Sequence, residues 1–283
     1  MNKLIFILLI SCINLFGEQR IITLSPSINE IVFALGEGKN IVANTQYSDY
    51  PEESKSIPKV GGYATISLEK IIAYKPTVVI AQNYDEKLLR NLKALGINTL
   101  IFKTDTISSI KKTITTLGNY FKRDEKASEL VNTIDESLSS LSNIVKNKKI
   151  LTVIGPRKNL NNQIYIAGNN LYFEDVLKAS NNKNAYYSES TNQPVVNSEK
   201  IINMNPDIIV LLSPFLDGKI EEQERLKTLW QTLPVNASIN KDIYIIDKTY
   251  SGIPSHRVIY FIRDFKKILN NVRDKQLQKW YSK

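Results

Sequence analysis

Short apolar runs alternate with amphipathic stretches along most of this chain. Residues 20–24, 40–43, 77–81 and 99–102 are apolar and rich in β-branched side chains, the pattern of strands buried on both faces. Between them, Ser27 is placed to cap a helix running to about residue 35, and a second helix carries Leu88, Leu89, Leu92 and Leu95 on one face. Past the midpoint the alternation resumes. Strands are expected at 150–154, 163–167 and 242–247, with a helix around 171–179 and a last one from about 255 toward 281. Strand–helix alternation of this kind predicts α/β lobes with parallel sheets. The stretch between the two series holds neither glycine nor proline from 124 to 147, and Leu130, Val131, Ile134, Leu138, Leu141, Ile144 and Val145 form one helical stripe. At 1.5 Å per residue, some 24 residues span roughly 36 Å. The expected architecture is therefore two Rossmann-like lobes, 18–122 and 149–283, joined by one long backbone helix at 123–148. So stiff a connection predicts small lobe motions.

One segment is written twice. Ser67-Leu68-Glu69-Lys70-Ile71-Ile72, followed by Pro76 and the strand from Thr77, returns as Asn197-Ser198-Glu199-Lys200-Ile201-Ile202 with Pro206 and a strand from Asp207. The spacing between copies is 130 residues throughout, too long for a solenoid repeat and about the size of a domain. Each copy reads as a short helix capped by Ser or Asn, stopped by a proline and followed by a buried strand. Glu69 and Glu199 thus occupy one position in two lobes of the same design.

The first residues depart from this pattern. Met1-Asn2-Lys3 is followed by an almost unbroken apolar run to Phe16, too short for a membrane span and built like a secretory leader ending near Gly17. The only cysteine, Cys12, lies inside it, so an exported chain has no disulfide. Leu9-Ile10-Ser11-Cys12 also resembles a lipobox, which makes a lipoprotein anchored through Cys12 the alternative to a free periplasmic form. The formal net charge is +9, and only Lys3 leaves with the leader. A basic surface admits anionic partners, but no Lys/Arg block interleaved with aromatics points to nucleic acid.

Candidate chemistry is sparse. His256 is the only histidine, which rules out a site of several imidazoles, and no Gly-x-Ser-x-Gly elbow accompanies it. As a polar residue near the start of the last helix it has an ordinary structural reading, with a cleft contact as the other. Gly36-Glu37-Gly38 ends a helix and enters a strand, the reverse of a dinucleotide fingerprint, and reads as helix capping. The long connection before the first repeat copy is richer, bringing Tyr47, Tyr50 and Tyr63 together with Gly61-Gly62. Loops at the carboxyl ends of parallel strands are where α/β domains bind ligands, and tyrosine offers a broad face with a polar tip.

Ile21-Ile22-Thr23-Leu24-Ser25-Pro26-Ser27-Ile28-Asn29-Glu30, Ser48-Asp49-Tyr50-Pro51, Val60-Gly61-Gly62-Tyr63 with Leu68-Glu69-Lys70-Ile71 and Lys75-Pro76, and the second copy from Ala167-Gly168 to Val196-Asn197-Ser198-Glu199, resemble the periplasmic iron-chelate and cobalamin binding proteins of ABC importers. The resemblance covers essentially the whole chain after the leader. It implies a non-enzymatic monomer with no resident cofactor, which captures a metal chelate between the lobes and delivers it to a permease homodimer with its ATPase subunits. It also implies that Glu69 and Glu199 dock on arginines of the two permease subunits. The ligand contacts it points to are Tyr50, Tyr63, Gln193 and Tyr250, with Arg157 and Arg257 as cleft cations; no residue is assigned to a metal directly. Three chelates stay open. Tyr63, six residues before Glu69, sits where cobalamin binders carry a tryptophan, but Thr249-Tyr250-Ser251-Gly252 replaces their charged pair. Haem binders place an arginine two residues past such a tyrosine, where this chain has Thr65. Ferric siderophores call for arginines such as Arg157 and Arg257, with Lys158. An exported α/β hydrolase using the same cleft is the reading from another class.

Overall fold

The computed structural model describes residues 19–62, 65–83, 85–161, 163–190 and 192–282. The leader expected at 1–17, with Cys12, and the candidate ligand residue Tyr63 lie outside the described residues. The first lobe runs β1 (Ile21–Thr23), α1 (Pro26–Ala34), β2 (Ile41–Ala43), α2 (Leu68–Ala73), β3 (Val78–Gln82), α3 (Glu86–Ala94) and β4 (Thr99–Phe102). Two helices follow, α4 (Ile107–Tyr120) and α5 (Asp124–Ser139). The second lobe is β5 (Lys149–Ile154), β6 (Ile164–Tyr165), α6 (Tyr172–Ala179), β7 (Lys183–Asn184), β8 (Val195–Val196), α7 (Ser198–Met204), β9 (Ile208–Leu212), α8 (Ile220–Gln231), α9 (Asn236–Ile239), β10 (Ile243–Ile246) and α10 (Val258–Tyr281).

The duplication is visible in the topology. The first sheet is all parallel in the order β2-β1-β3-β4, and the second is all parallel in the order β7-β5-β9-β10, which is the same arrangement strand for strand. β3 and β9 hold the same register of the repeat, both fully buried. Alternation along each strand then divides the core. Val78 and Ile80, like Ile208 and Val210, face one continuous apolar cluster that runs through α1, α4, α5, α6 and α10 and spans both lobes. Val79 and Ala81 face a cluster private to the first lobe, Ile209 and Leu211 one private to the second. Successive strand residues point to opposite faces, so a strand buried on both sides feeds two cores at once.

Three boundaries differ from the sequence reading. The α1 cap is Ser25 rather than Ser27: its Oγ accepts the Ile28 amide at 3.3 Å, and Pro26, which lacks the amide a first-turn residue cannot use, opens the helix. The connecting helix stops at Ser139 instead of continuing to 147, because Asn143 (φ +65°) and Asn147 (φ +60°) turn the chain left-handed. Leu141 and Val145 remain buried beyond its end, so the apolar spacing is real but is produced by a turn. Asn182 secures that turn, donating to the Val145 carbonyl at 2.9 Å and accepting the Lys148 amide at 2.9 Å. Sixteen residues make α5 about 24 Å long. Finally, β6 is a two-residue strand pairing antiparallel with β8 outside the main sheet.

α4 and α5 form a hairpin whose closest approach is at Gly118, where an added Cβ would come 2.4 Å from that of Ala127. Overpacking a crossing of this kind costs about 1–3 kcal/mol, against a gain of at most ~1 kcal/mol from replacing glycine in a helix. Gly118→Leu is therefore expected to lower the stability measured by urea unfolding; a variant as stable as the parent would show that the hairpin separates at no cost.

Candidate functional site

The carboxyl ends of both parallel sheets are where the candidate residues gather, the position at which open α/β sheets bind ligands. On the first lobe the loop after β2 is held from beneath by a buried polar network. Asn29 donates to the Tyr50 carbonyl at 3.1 Å and to Ser54 Oγ at 2.8 Å; Asn44 donates to the same Oγ at 2.9 Å; Ser54 Oγ donates to the Ser48 carbonyl at 2.7 Å. Lys59 closes the network by donating to Asn44 Oδ1 at 2.7 Å and to the Ser54 carbonyl at 2.9 Å. Burial pulls the Lys59 amine below its ordinary value, partly opposed by the Asp49 carboxylate. Every one of these loop carbonyls is satisfied internally, so the loop that presents Tyr50 is preorganised rather than slack.

Arg257 reaches this loop from the other lobe. Its guanidinium lies 3.7 Å from the centre of the Tyr50 ring, donates from Nη1 to Glu30 Oε1 at 2.8 Å, and is only 6% exposed. Ser255 donates to the other oxygen of Glu30. Burial holds the Glu30 carboxyl above its ordinary value, and the opposing pull of Arg257 and the Ser255 hydroxyl is smaller. Arg257, expected among the ligand contacts, pairs its charge with Glu30 and its face with Tyr50, and so builds a buried bridge between lobes. The Tyr50 ring stays 39% exposed on the cleft side of that bridge.

A second inter-lobe seam runs through Tyr172. Its amide donates to the Asp105 carbonyl at 2.6 Å, its hydroxyl donates to the Ser251 carbonyl at 2.5 Å, and the Ile107 amide donates to Asp175 at 2.8 Å. Tyr250, next to Ser251, donates its hydroxyl to Asp264 and packs edge-on against Tyr260 at 5.5 Å, with its phenol raised chiefly by burial. Arg157 is exposed on the loop after β5 and makes no hydrogen bond or ion pair among the described residues. Gln193 donates to the Ile166 carbonyl at 2.6 Å and borders a cavity of about 600 Å³ between the lobes, walled also by Asp105, Ser109, Asn169, Asn170 and Asn192. Beyond Leu171 a cavity of about 350 Å³ is lined by Tyr172, Phe173 and Phe215. Phe215, half-exposed directly after β9, also borders a third cavity of about 530 Å³ along α8, where Lys158 pairs with Glu222 at 3.2 Å. The structure therefore brings Tyr50, Arg257 and Tyr250 together and sets Gln193 and Arg157 apart from them. Phe215 and the cleft asparagines escaped the sequence reading; the signal was their place immediately after strand ends.

His256 is partly buried, its Nδ1 has no partner among the described residues, and its imidazole is pushed down to about 4 by burial first, then by the charges of Arg257 and Lys126. It is neutral at physiological pH. Ser255 spends its hydroxyl on Glu30, so the two neighbours do not form a nucleophile–base pair. Glu69 and Glu199 lie on the exposed first turns of α2 and α7, away from every cavity wall described above.

Two lobes of one design, a fixed bridge between them and ligand-sized cavities at the strand ends define a two-lobed binding protein. Residues 21–250 match the periplasmic binding protein family, and the chain belongs to it. It is 27% identical over 284 residues to the vitamin B12-binding protein of Vibrio campbellii, covering 98% of this chain and 100% of that one. Its fold is also that of the periplasmic vitamin B12 binding protein of Vibrio cholerae (TM-score 0.78, 21% identity, 90% of this chain and 98% of that one). A periplasmic heme-binding protein of Roseiflexus sp. RS-1 shares it as well (TM-score 0.74, 20% identity, 91% and 100%).

Removing one partner of a buried ion pair strands the other and costs about 3–5 kcal/mol, whereas replacing both by apolar residues is often neutral. Glu30→Ala is accordingly expected to lose that much stability in urea unfolding, and Glu30→Leu combined with Arg257→Met to recover most of it. Equal losses for the single and double variants would mean that the charges themselves are needed.

Proposed function

We propose that this chain is the substrate-binding protein of an ABC importer, taking a metal chelate in the inter-lobe cleft and presenting it to a membrane permease outside the cytoplasm. The observation that carries this reading is the pair Glu69 and Glu199, one exposed acid at the same position of a duplicated helix on each lobe. Two matching acids on a basic chain suit a two-fold partner offering one arginine to each lobe, since a guanidinium fork fixes orientation as well as adding energy. The cleft supports a chelate rich in neutral amides, a corrinoid, over one carrying free carboxylates. Its larger cavity is walled by Asn169, Asn170, Asn192 and Gln193, which can both donate to and accept from carboxamides. Three cations near the cleft already face carboxylates, Arg257 with Glu30, Lys158 with Glu222 and Arg225 with Glu221, which leaves Arg157 and Lys103 to meet an anionic chelate. Tyr50 and Phe215 supply the apolar faces that a large planar ligand requires. Periplasmic release after leader cleavage, rather than anchoring through Cys12, completes the reading, with no chemistry performed on the ligand.

Titration of the mature chain with cyanocobalamin, haemin and ferrichrome, followed by intrinsic fluorescence, tests the ligand class. Cyanocobalamin is expected to bind at least about tenfold tighter than the others, a difference of ~1.4 kcal/mol; tighter binding of haemin would replace the corrinoid by haem. Glu69→Arg and Glu199→Arg place like charges across the docking interface. Each is expected to cut uptake by a similar, large factor while leaving chelate affinity and melting temperature unchanged, and the double variant to transport almost nothing. Normal uptake by the double variant would leave the two glutamates only a helix-capping role.

A further inference from the structure

Beneath each glutamate-bearing helix lies a cation at an equivalent place. Arg20, just before β1, donates from Nη2 and Nε to the Tyr74 carbonyl at the end of α2, at 2.7 and 3.1 Å, and from Nε to the Lys75 carbonyl at 3.2 Å. Lys149, the first residue of β5, donates from Nζ to the Met204 carbonyl at the end of α7, at 2.7 Å. Tyr74 and Met204 are the same position of the repeat, and β1 and β5 are the same strand of the two sheets.

The surrounding hydrogen bonds repeat too. The Arg20 amide donates to Thr77 Oγ1 at 2.9 Å, and the Lys149 amide donates to Asp207 Oδ2 at 2.9 Å. The Thr77 and Asp207 amides return bonds to the Arg20 and Lys149 carbonyls at 2.9 and 2.8 Å. At the helix starts, Ser67 and Asn197 side chains accept the amides of Lys70 and Lys200. At the exits, Lys75 (φ +44°) and Asn205 (φ +45°) both take the left-handed conformation. Asn205 takes that conformation readily, whereas for Lys75 it is costly, so the sharp exit of α2 is held by its surroundings.

We infer that Arg20 and Lys149 are the positioning residues of the permease-docking surface, each fixing the pitch of one glutamate-bearing helix through its carboxyl end. This rests on the docking role of Glu69 and Glu199. The physical case is direct. A helix of six or seven residues is too short to be stable by itself, and here only Ile71 or Ile201 is fully buried beneath it. A cation on the last carbonyls satisfies acceptors that have no partner in the helix and complements its dipole. The two residues carry this contact by different means, a guanidinium fork in one lobe and an ammonium in the other, while sharing position and target. Convergence of two unlike side chains on one carbonyl of the repeat is what a requirement for matched helix orientation would produce. Neither cation touches a cavity wall, so ligand capture has no need of them.

The test uses the full chain in a cell that depends on it for cyanocobalamin uptake. Arg20→Ala and Lys149→Ala are expected to raise the concentration of binding protein needed for half-maximal uptake by at least about fivefold, with cyanocobalamin affinity unchanged. Arg20→Lys and Lys149→Arg should restore most of it, since either head group reaches a carbonyl. A double-variant cycle separates positioning from general loosening. Arg20→Ala should add nothing to Glu69→Arg on the same lobe, yet add fully to Glu199→Arg on the other, and Lys149→Ala should behave conversely. Additivity in both combinations, or normal uptake by both alanine variants while Glu69→Arg still fails, would overturn the positioning role alone. Normal uptake by Glu69→Arg and Glu199→Arg would overturn the docking reading, and this inference with it.

Discussion

The ion pair between Glu30 and Arg257 is the contact on which the relation between the lobes depends. It joins residues 227 apart in the chain, it is almost completely buried, and it ties α1 to the entry of α10. A buried pair is tolerated only when geometry and additional hydrogen bonds offset the loss of water, and here Ser255 and the Tyr50 ring supply the remainder. Asn29, the neighbour of Glu30, holds the Tyr50 carbonyl, so the loop that presents Tyr50 and the residue that ties the lobes share one polar network. Moving either lobe would break a desolvated ion pair and uncover the loop beneath it.

Around that bridge the duplicated unit sets the rest. Both sheets use the same strand order, both direct alternate residues into one shared core, and both end their repeated helix on a cation from the neighbouring strand. A chain built this way presents two equivalent helix tips without being symmetric itself. The lobes also differ near the cleft, where the first carries the Tyr50 loop and the second carries Phe215, Tyr250 and a row of asparagines. Glu69 and Glu199 are thus set apart from the residues that line the cavities.

Much of this was legible in the chain. The repeat showed because its signals are local: a cap three residues before a free amide, a proline that stops a helix, and β-branched strands buried on both faces. The end of α5 was hidden because Leu141 and Val145 keep the helical spacing through a turn whose control residue, Asn182, is far along the chain. The pairing of Arg257 with Glu30 was hidden because nothing near Arg257 in the chain announces it. Burial partners at long range leave no periodic trace, and an arginine in a loop looks the same whether it meets an anionic ligand or a buried carboxylate.

The central claim is that the lobes are locked to each other, by α5 and by the Glu30–Arg257 bridge, so that ligand enters a cleft already formed. Small-angle scattering of the mature chain, alone and saturated with whichever of the three chelates binds tightest, tests it most directly. Superimposable profiles and an unchanged radius of gyration are predicted. A contraction of several ångströms on binding would show that the lobes close over the ligand and that the bridge is not a lock.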